Sequence, residues 1–279
     1  MKRLLTIQDI SCFGKCSLTV ALPIISALGI ETVALPTALL STHTGEFKDY
    51  TFLSLTEEME KIIKHWKKEN ITFDAIYVGY IGSLHQVDVI CNIIDIFKND
   101  NTIVYVDPAM ADNARLYSGL SEEYVSATRK LCKKADIISP NIYEAMLLAN
   151  SGLDDKYSFD DANKILNEIS NFCQKSIITG VHSGNDIYSL GFDASNNTYS
   201  TKKNKKIDGM FYGTGDVFAS TFIGLYLNGF SFEKAISYAD DFVQECIIAT
   251  LDEKEKYWYG INFEKRLKKL CSLLESEKE

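Results

Sequence analysis

Residues 213–216 read Gly-Thr-Gly-Asp, and the stretch behind them, VFASTFIGLYL (217–227), is apolar on nearly every side. A helix that is apolar all round is a buried helix. Burial leaves its first amide donors without water. An anion satisfies such donors, and glycines at 213 and 215 let a phosphate come close to the backbone. A carboxylate is a poor structural neighbour for a phosphate. As acceptor of the proton of an attacking hydroxyl, Asp216 makes chemical sense there. The competing reading is a plain turn, with Asp216 in the first helical turn and favoured by the helix dipole. The stretch matches neither G-x4-G-K-[ST] nor G-x-G-x-x-G. The residues favour phosphoryl transfer over the capped turn.

Such a turn needs a scaffold, and the chain alternates short apolar runs with amphipathic segments. Strands are predicted at 3–9, 30–36, 73–79, 102–108, 135–141 and 176–180. Helices are predicted at 17–28, closed by Gly29, and at 56–69, 84–98 and 121–134. Residues 37–55 read as a polar loop and 186–201 as a hairpin around Asn196-Asn197. KKNKK (202–206) reads as a basic loop, and 215–250 as almost entirely helical. Buried strands separated by helices imply an α/β fold with a mainly parallel central sheet, here as one domain over 1–279. Ligands of such sheets sit at the carboxyl ends of the strands. That rule selects Asp9, Gly79-Tyr80, Asp107, Asn141 with Glu144, and Thr179-Gly180.

The 279 residues carry a formal net charge of -9, with no basic stripe of the kind that binds nucleic acid. Polar Gln8 and Asp9 interrupt the apolar start of MKRLLTIQDI, so it does not read as a signal peptide. No stretch approaches the roughly 20 apolar residues of a membrane span. Seven cysteines include a C-x3-C at 12 and 16 without a second pair for zinc. Their odd count fits reduced thiols in a cytoplasm, and Cys12 and Cys16 read as packing residues.

Six ordered stretches carry a wider likeness: IQDISCFGKCSLTVALPIISALGI (7–30), ALLSTHTGEF (38–47), YVGYIGS (77–83), VDPAMADNARLY (106–117), DIISPNIYEA (136–145) and FYGTGDVFAS (211–220). Together they resemble the pyridoxal/pyridoxamine kinase family of the ribokinase-like superfamily, over nearly the whole chain. The resemblance implies a three-layer α/β/α fold and ATP-dependent phosphorylation of the hydroxymethyl group of a B6 vitamer. It implies that Asp216 is the base and that the amides of Gly213, Thr214 and Gly215 form an anion hole. Asp107 and Glu144 fall at the Mg²⁺ cluster. Asp112, Ser139, Glu144 and Thr179 fall along the nucleotide phosphates, and Lys202 or Lys203 borders the nucleotide. Asp9, Thr44, Gly45 and Tyr80 fall at the vitamin ring. A homodimer is implied, and a monovalent cation is allowed as a further cofactor.

Two departures stand out. Asp9 occupies a position where better-known members have serine, and Ala109 and Ala111 alter the D-P-V-M-G-D pattern. His43 reads equally as a substrate contact or a hydrogen-bonded structural residue. YWYG (257–260) is expected to pack the C-terminal segment. Two alternatives accompany the main reading: a hydroxymethylpyrimidine kinase, and a non-catalytic nucleotide- or vitamin-binding regulator.

Overall fold

The computed structural model describes residues 1–117, 119–253 and 255–276. The chain forms two compact units, one made of 1–55 and 207–279, the other of 56–206.

The first unit begins with β1 (Arg3–Phe13), α1 (Leu18–Ala27), β2 (Glu31–Thr42) and β3 (Phe52–Ser54). β1 and β2 are parallel, which requires the α1 crossover, while β3 returns antiparallel along β2. Both β1 and β2 outrun their predicted ends. Residues 37–42, expected to be loop, continue β2, because Ala38 and Leu40 are buried between β-forming threonines. The register of β1 on β2 shifts between Gln8 and Ile10: only Asp9 faces both Thr37 and Ala38.

The second unit runs α2 (Thr56–Lys68), β4 (Ala75–Val78), α3 (Leu84–Phe97) and β5 (Ile103–Val106). A two-residue ladder follows, β6 (Ala111–Asp112) with β7 (Arg115–Leu116), then α4 (Glu122–Cys132), β8 (Ile137–Ile138), α5 (Ile142–Leu148) and α6 (Phe159–Ile169). The antiparallel set β9 (Lys175–Ser183), β10 (Asp186–Asp193) and β11 (Thr198–Lys205) closes the unit. Within it the sheet order is β4-β5-β8-β9-β10-β11, parallel as far as β9. The fold class is α/β with a mainly parallel sheet. The hairpin turns at Asn197, whose φ is 55°. Most of KKNKK is not a loop: 202–205 lie in β11, paired with β10 from Asp186↔Lys205 onward, and Lys206 follows the strand. Three lysines hid a strand whose partner side chain, Asp186, is acidic.

The chain then re-enters the first unit with α7 (Thr214–Leu227), α8 (Phe232–Leu251) and α9 (Leu267–Ser276). Asn228 breaks the expected single helix. Its amide donates to the Leu28 carbonyl (2.9 Å) and to the Gly224 carbonyl (2.8 Å), and Gly229 follows at φ 93°. α7 lies against α1 with no room to spare: a methyl group on Gly224 would stand 2.4 Å from Leu28 Cδ1. Gly224→Val is expected to lower unfolding free energy by about 1–3 kcal/mol, the usual cost of overpacking. Urea titration checks this, and an unchanged midpoint would mean that α1 and α7 do not meet closely at this level.

Candidate active site

The sequence signal at 213–216 resolves into a backbone device. Gly213 precedes α7 with φ 80°, in the left-handed region that glycine tolerates. A methyl group there would also stand 2.1 Å from the Lys15 carbonyl oxygen, so the β1–α1 turn lies directly on the Gly-Thr-Gly-Asp turn. No side chain caps the start of α7. In front of Gly215 the space is open, with nothing within 4 Å of where a Cβ would be. Amides with no cap and an approach clear of side chains suit an anionic ligand.

Asp216 follows in the first turn of α7. The Ser17 amide lies near its carboxylate and favours the charged form. Burial pushes the carboxyl up to about 7, and the negative charge of Asp9 adds to the rise while the Ser17 amide opposes it. A proton affinity near neutrality suits a general base.

Asp9 is not at a strand end. It lies inside β1, at the register shift against β2, and bulges commonly re-aim side chains beside active sites. Its carboxyl is 3% exposed and accepts from the Ser11 hydroxyl (2.8 Å), with the Ser17 hydroxyl nearby. Burial raises Asp9 too. Cys16 lies beside Asp9 and Asp216, and burial followed by these two charges holds its thiol well above the ordinary value. It packs as a neutral group and is no nucleophile.

The STHTG segment divides its labour. His43 is structural: Nε2–H donates to the Tyr259 carbonyl (2.9 Å), and Nδ1 accepts from the Gly45 amide (3.1 Å). Both ring nitrogens are thereby committed and the ring is neutral. A Cβ on Gly14 would meet His43 at 2.3 Å, and one on Gly45 would meet Tyr212 at 2.6 Å. Thr44, between them, is exposed. The YWYG segment does more than pack the C-terminus. Trp258 lies 4.6 Å from Phe47 and Tyr259 4.6 Å from Phe13, ring centre to ring centre. Lys15 ties the same segment down, with Nζ 2.7 Å from both Asn262 Oδ1 and Glu264 Oε2.

The second unit holds its own polar cluster. Asp107 directly follows β5, and the turn after it is clamped by Glu144. Glu144 Oε1 accepts from the Met110 amide (3.0 Å) and the Ala111 amide (3.5 Å), and Oε2 from the Asn141 amide (2.8 Å). Asn141 and Glu144 form a capping box at the start of α5, and Asn141 Nδ2 also donates to the Ala111 carbonyl (2.8 Å). Burial pushes Glu144 up against these amide bonds, which pull it down. The Ser139 hydroxyl is buried against the Tyr105 hydroxyl at 2.5 Å. Thr179 bridges to Asn141 and lies inside β9, not at its end. Asp112 is exposed on β6 and accepts from the Asn113 amide at 2.8 Å. Tyr80 lies 6.3 Å from Tyr117, ring to ring. Lys203 is ion-paired with Asp186 at 2.7 Å, and Lys202 sits opposite Ser189 in the β10–β11 ladder.

Among the described residues no group of three or more His, Cys, Asp or Glu side chains is arranged to hold a metal. Asp107 and Glu144 offer hard carboxylate oxygens, and those of Glu144 are already engaged by amides. Such a thin set fits Mg²⁺, which keeps most of its waters and binds through one or two carboxylates plus substrate phosphates.

Ser17 went unread in the sequence. It precedes an apolar helical run, as an N-cap would, yet makes no side-chain cap and adopts φ 53° and ψ -131°. Ser11 went unread as well, although residues i and i+2 of a strand share a face and Ser11 follows Asp9 at that spacing.

A half-buried carboxylate beside uncapped helix amides, on a mainly parallel α/β scaffold, is the arrangement expected of a ribokinase-like small-molecule kinase. A family model described as phosphomethylpyrimidine kinase matches residues 21–259, and the chain belongs to this family. A Bacteroides thetaiotaomicron protein assigned to the phosphomethylpyrimidine kinases is 34% identical, with a TM-score of 0.93 over 96% of this chain and 93% of its own. One crystal form of that protein was solved with pyridoxal. The pyridoxal kinase of Lactobacillus plantarum is 26% identical, with a TM-score of 0.91 over 99% of both chains. Pyridoxal kinase PdxY of Actinobacillus pleuropneumoniae is 27% identical over 90% of each sequence.

The raised Asp216 carboxyl has a consequence for stability. Between the ordinary carboxylate value of 3.8 and about 7 the native protein keeps a proton that the unfolded chain has lost. This contribution to stability is therefore full at low pH and is lost as pH rises through that window. Asp216→Asn removes the dependence. At pH 8 the variant is expected to be more stable than wild type by about 2 kcal/mol, a linkage value discounted for partial exposure. At pH 4 the difference should vanish. Parallel denaturant titrations at the two pH values check it, and equal differences at both would contradict the raised proton affinity.

Proposed function

We propose that the chain is an ATP-dependent kinase of the hydroxymethyl group of pyridoxal, pyridoxamine or pyridoxine. The observation that carries this reading is the Asp216 carboxylate, poised near neutrality beside uncapped amides and an open approach. Membership of the family and the pyridoxal-containing relative support the acceptor.

In this reading Asp216 takes the proton of the acceptor hydroxyl as its oxygen attacks the terminal phosphorus of ATP; the bond to the bridging oxygen breaks and ADP leaves. The amides of Gly213, Thr214 and Gly215 oppose the charge that develops on the transferred group without having to reorganise. Thr44, with Gly45 beside it, and Asp9 and Tyr80 meet the ring. Asp112, Ser139, Thr179, Lys202 and Lys203 serve the nucleotide, with Ser139 and Lys203 first having to leave the Tyr105 and Asp186 partners they now hold. Mg²⁺, when bound, neutralises phosphate charge; Asp107 would hold it, and Glu144 would act by fixing the turn that carries Asp107. The whole chain acts as one kinase domain, in a cytoplasm that keeps its seven cysteines as the free thiols seen here.

Asp216→Asn is expected to reduce turnover by about 10²–10⁴-fold, the usual worth of a general base, with ATP affinity retained. The measurement is coupled ADP release with pyridoxal, pyridoxamine, pyridoxine and hydroxymethylpyrimidine, in K⁺ and in Na⁺. Near-normal turnover in the variant would remove Asp216 as the base. Turnover with the pyrimidine alone would reassign the substrate, and none with any acceptor would favour a regulator.

A homodimer is part of the same reading. β3 is an edge strand of three exposed residues, with Phe52 48% and Leu53 58% exposed beside Leu39. A second copy would cover this apolar edge. Sedimentation is expected to give twice the monomer mass, and Leu53→Glu to return the protein to monomer. A monomeric wild type would refute the dimer.

A further inference from the structure

Residues 257–263 follow α8 without helix or strand of their own, yet Ile261, Asn262 and Phe263 are buried. An irregular segment packed this deeply must be fastened through its backbone. α8 supplies the anchor: the Thr250 hydroxyl donates to the Cys246 carbonyl and accepts from the Asn262 amide, both at 2.7 Å. From there the segment meets three turns. The Ile261 amide donates to the carbonyl of Tyr212, the residue before Gly213 (3.2 Å). Gly260 lies on Lys15, where a Cβ would stand 2.5 Å from Lys15 Cβ, and the carbonyl of Lys15 meets Gly213. The Tyr259 carbonyl accepts from His43.

His43 is the link between this segment and the 43–47 loop. One ring nitrogen bonds the Tyr259 carbonyl and the other the Gly45 amide. The ring is held between Phe47 and Tyr212, with centres 4.9 and 5.1 Å away. A planar ring bonded to backbone at both nitrogens and packed against two other rings fixes a distance between the pieces of chain it joins. Thr44 and Gly45 are on one side of that link. Tyr212 and the Gly-Thr-Gly-Asp turn are tied to the other through Ile261.

We propose that residues 258–262 form a clasp that sets the distance between the loop carrying Thr44 and the Gly-Thr-Gly-Asp turn, with His43 as the positioning residue that carries the clasp to the loop. This rests on the kinase reading, in which Thr44 meets the acceptor and Asp216 takes its proton. Attack of the acceptor hydroxyl is sensitive to that distance, since a misplacement of about 1 Å costs on the order of 10²-fold in rate. Affinity for the ring is less sensitive, because a slackened loop still presents Thr44. The clasp therefore governs turnover more than acceptor binding.

Three variants test it. His43→Asn keeps an acceptor where Nδ1 lies and His43→Gln a donor where Nε2 lies, so each keeps one end of the link and breaks the other. Gly260→Ala strains the clasp from its far side by pressing on Lys15. With ATP and the vitamer turned over fastest, kcat is expected to fall by about 10–100-fold in all three, with KM for the vitamer within about threefold of wild type. His43→Asn combined with Gly260→Ala is expected to lose no more than the worse single variant, because both break one connection. Hydrogen exchange in the substrate-free protein is expected to quicken at 43–47 in Gly260→Ala, although no residue of that loop is altered. A raised KM with kcat kept would make His43 a binding residue and overturn the proposal. So would additive losses in the double variant, or faster exchange confined to 258–262. If wild type turns over no vitamer, exchange transmitted from 260 to 43–47 would leave the clasp standing and sink the kinase reading alone. If Gly260→Ala does not fold, Lys15→Met, which removes the bonds to Asn262 and Glu264, serves in its place.

Discussion

The unit made of residues 1–55 and 207–279 depends on one close approach of backbone to backbone. Gly213 lies against the Lys15 carbonyl with no space for a side chain. That closeness brings the Ser17 amide near the Asp216 carboxylate. From it follow the left-handed turn before α7, the placement of Asp216, and the contact of α1 with α7 that continues down to Gly224 and Leu28. A side chain at 213 would prise the two turns apart and carry Asp216 away from the Ser17 amide.

Burial has opposite uses in the two acidic clusters. Around Asp216 it leaves a carboxylate with few donors, so the group holds its proton more tightly and can serve as a base near neutrality. Around Glu144 it comes with three amide donors and a capping box, so the carboxylate works as a fastener for the turn after Asp107. Residue type alone does not distinguish these roles; the count of donors does.

The sequence was most legible where burial was most complete. The apolar runs of β4 and β5 and the helices α2, α3 and α4 fell close to where periodicity put them. The second half of β2, β3 and the second half of β11 were read as loops, because half-exposed strands carry polar residues that composition cannot tell from loop. Gly-Thr-Gly-Asp announced itself because glycines, an acid and an apolar helix leave few alternatives. Asp9 was noticed as a departure, but its place inside a strand depends on a register shift that no local pattern records. Ser17 was invisible: its nearness to Asp216 exists only once the 213–216 turn arrives from beyond the inserted second unit.

Lys15 joins Asn262 and Glu264 across 247 and 249 residues of chain. For a chain made from the N-terminus onward, that tie orders assembly in time. Residues 56–206 are available to form their own sheet while the early strands still lack α7, α8 and the segment that Lys15 grips. Strand β1 with Asp9 and the turn with Ser17 precede that segment in the chain, so on the ribosome their final packing waits for residues 262–264.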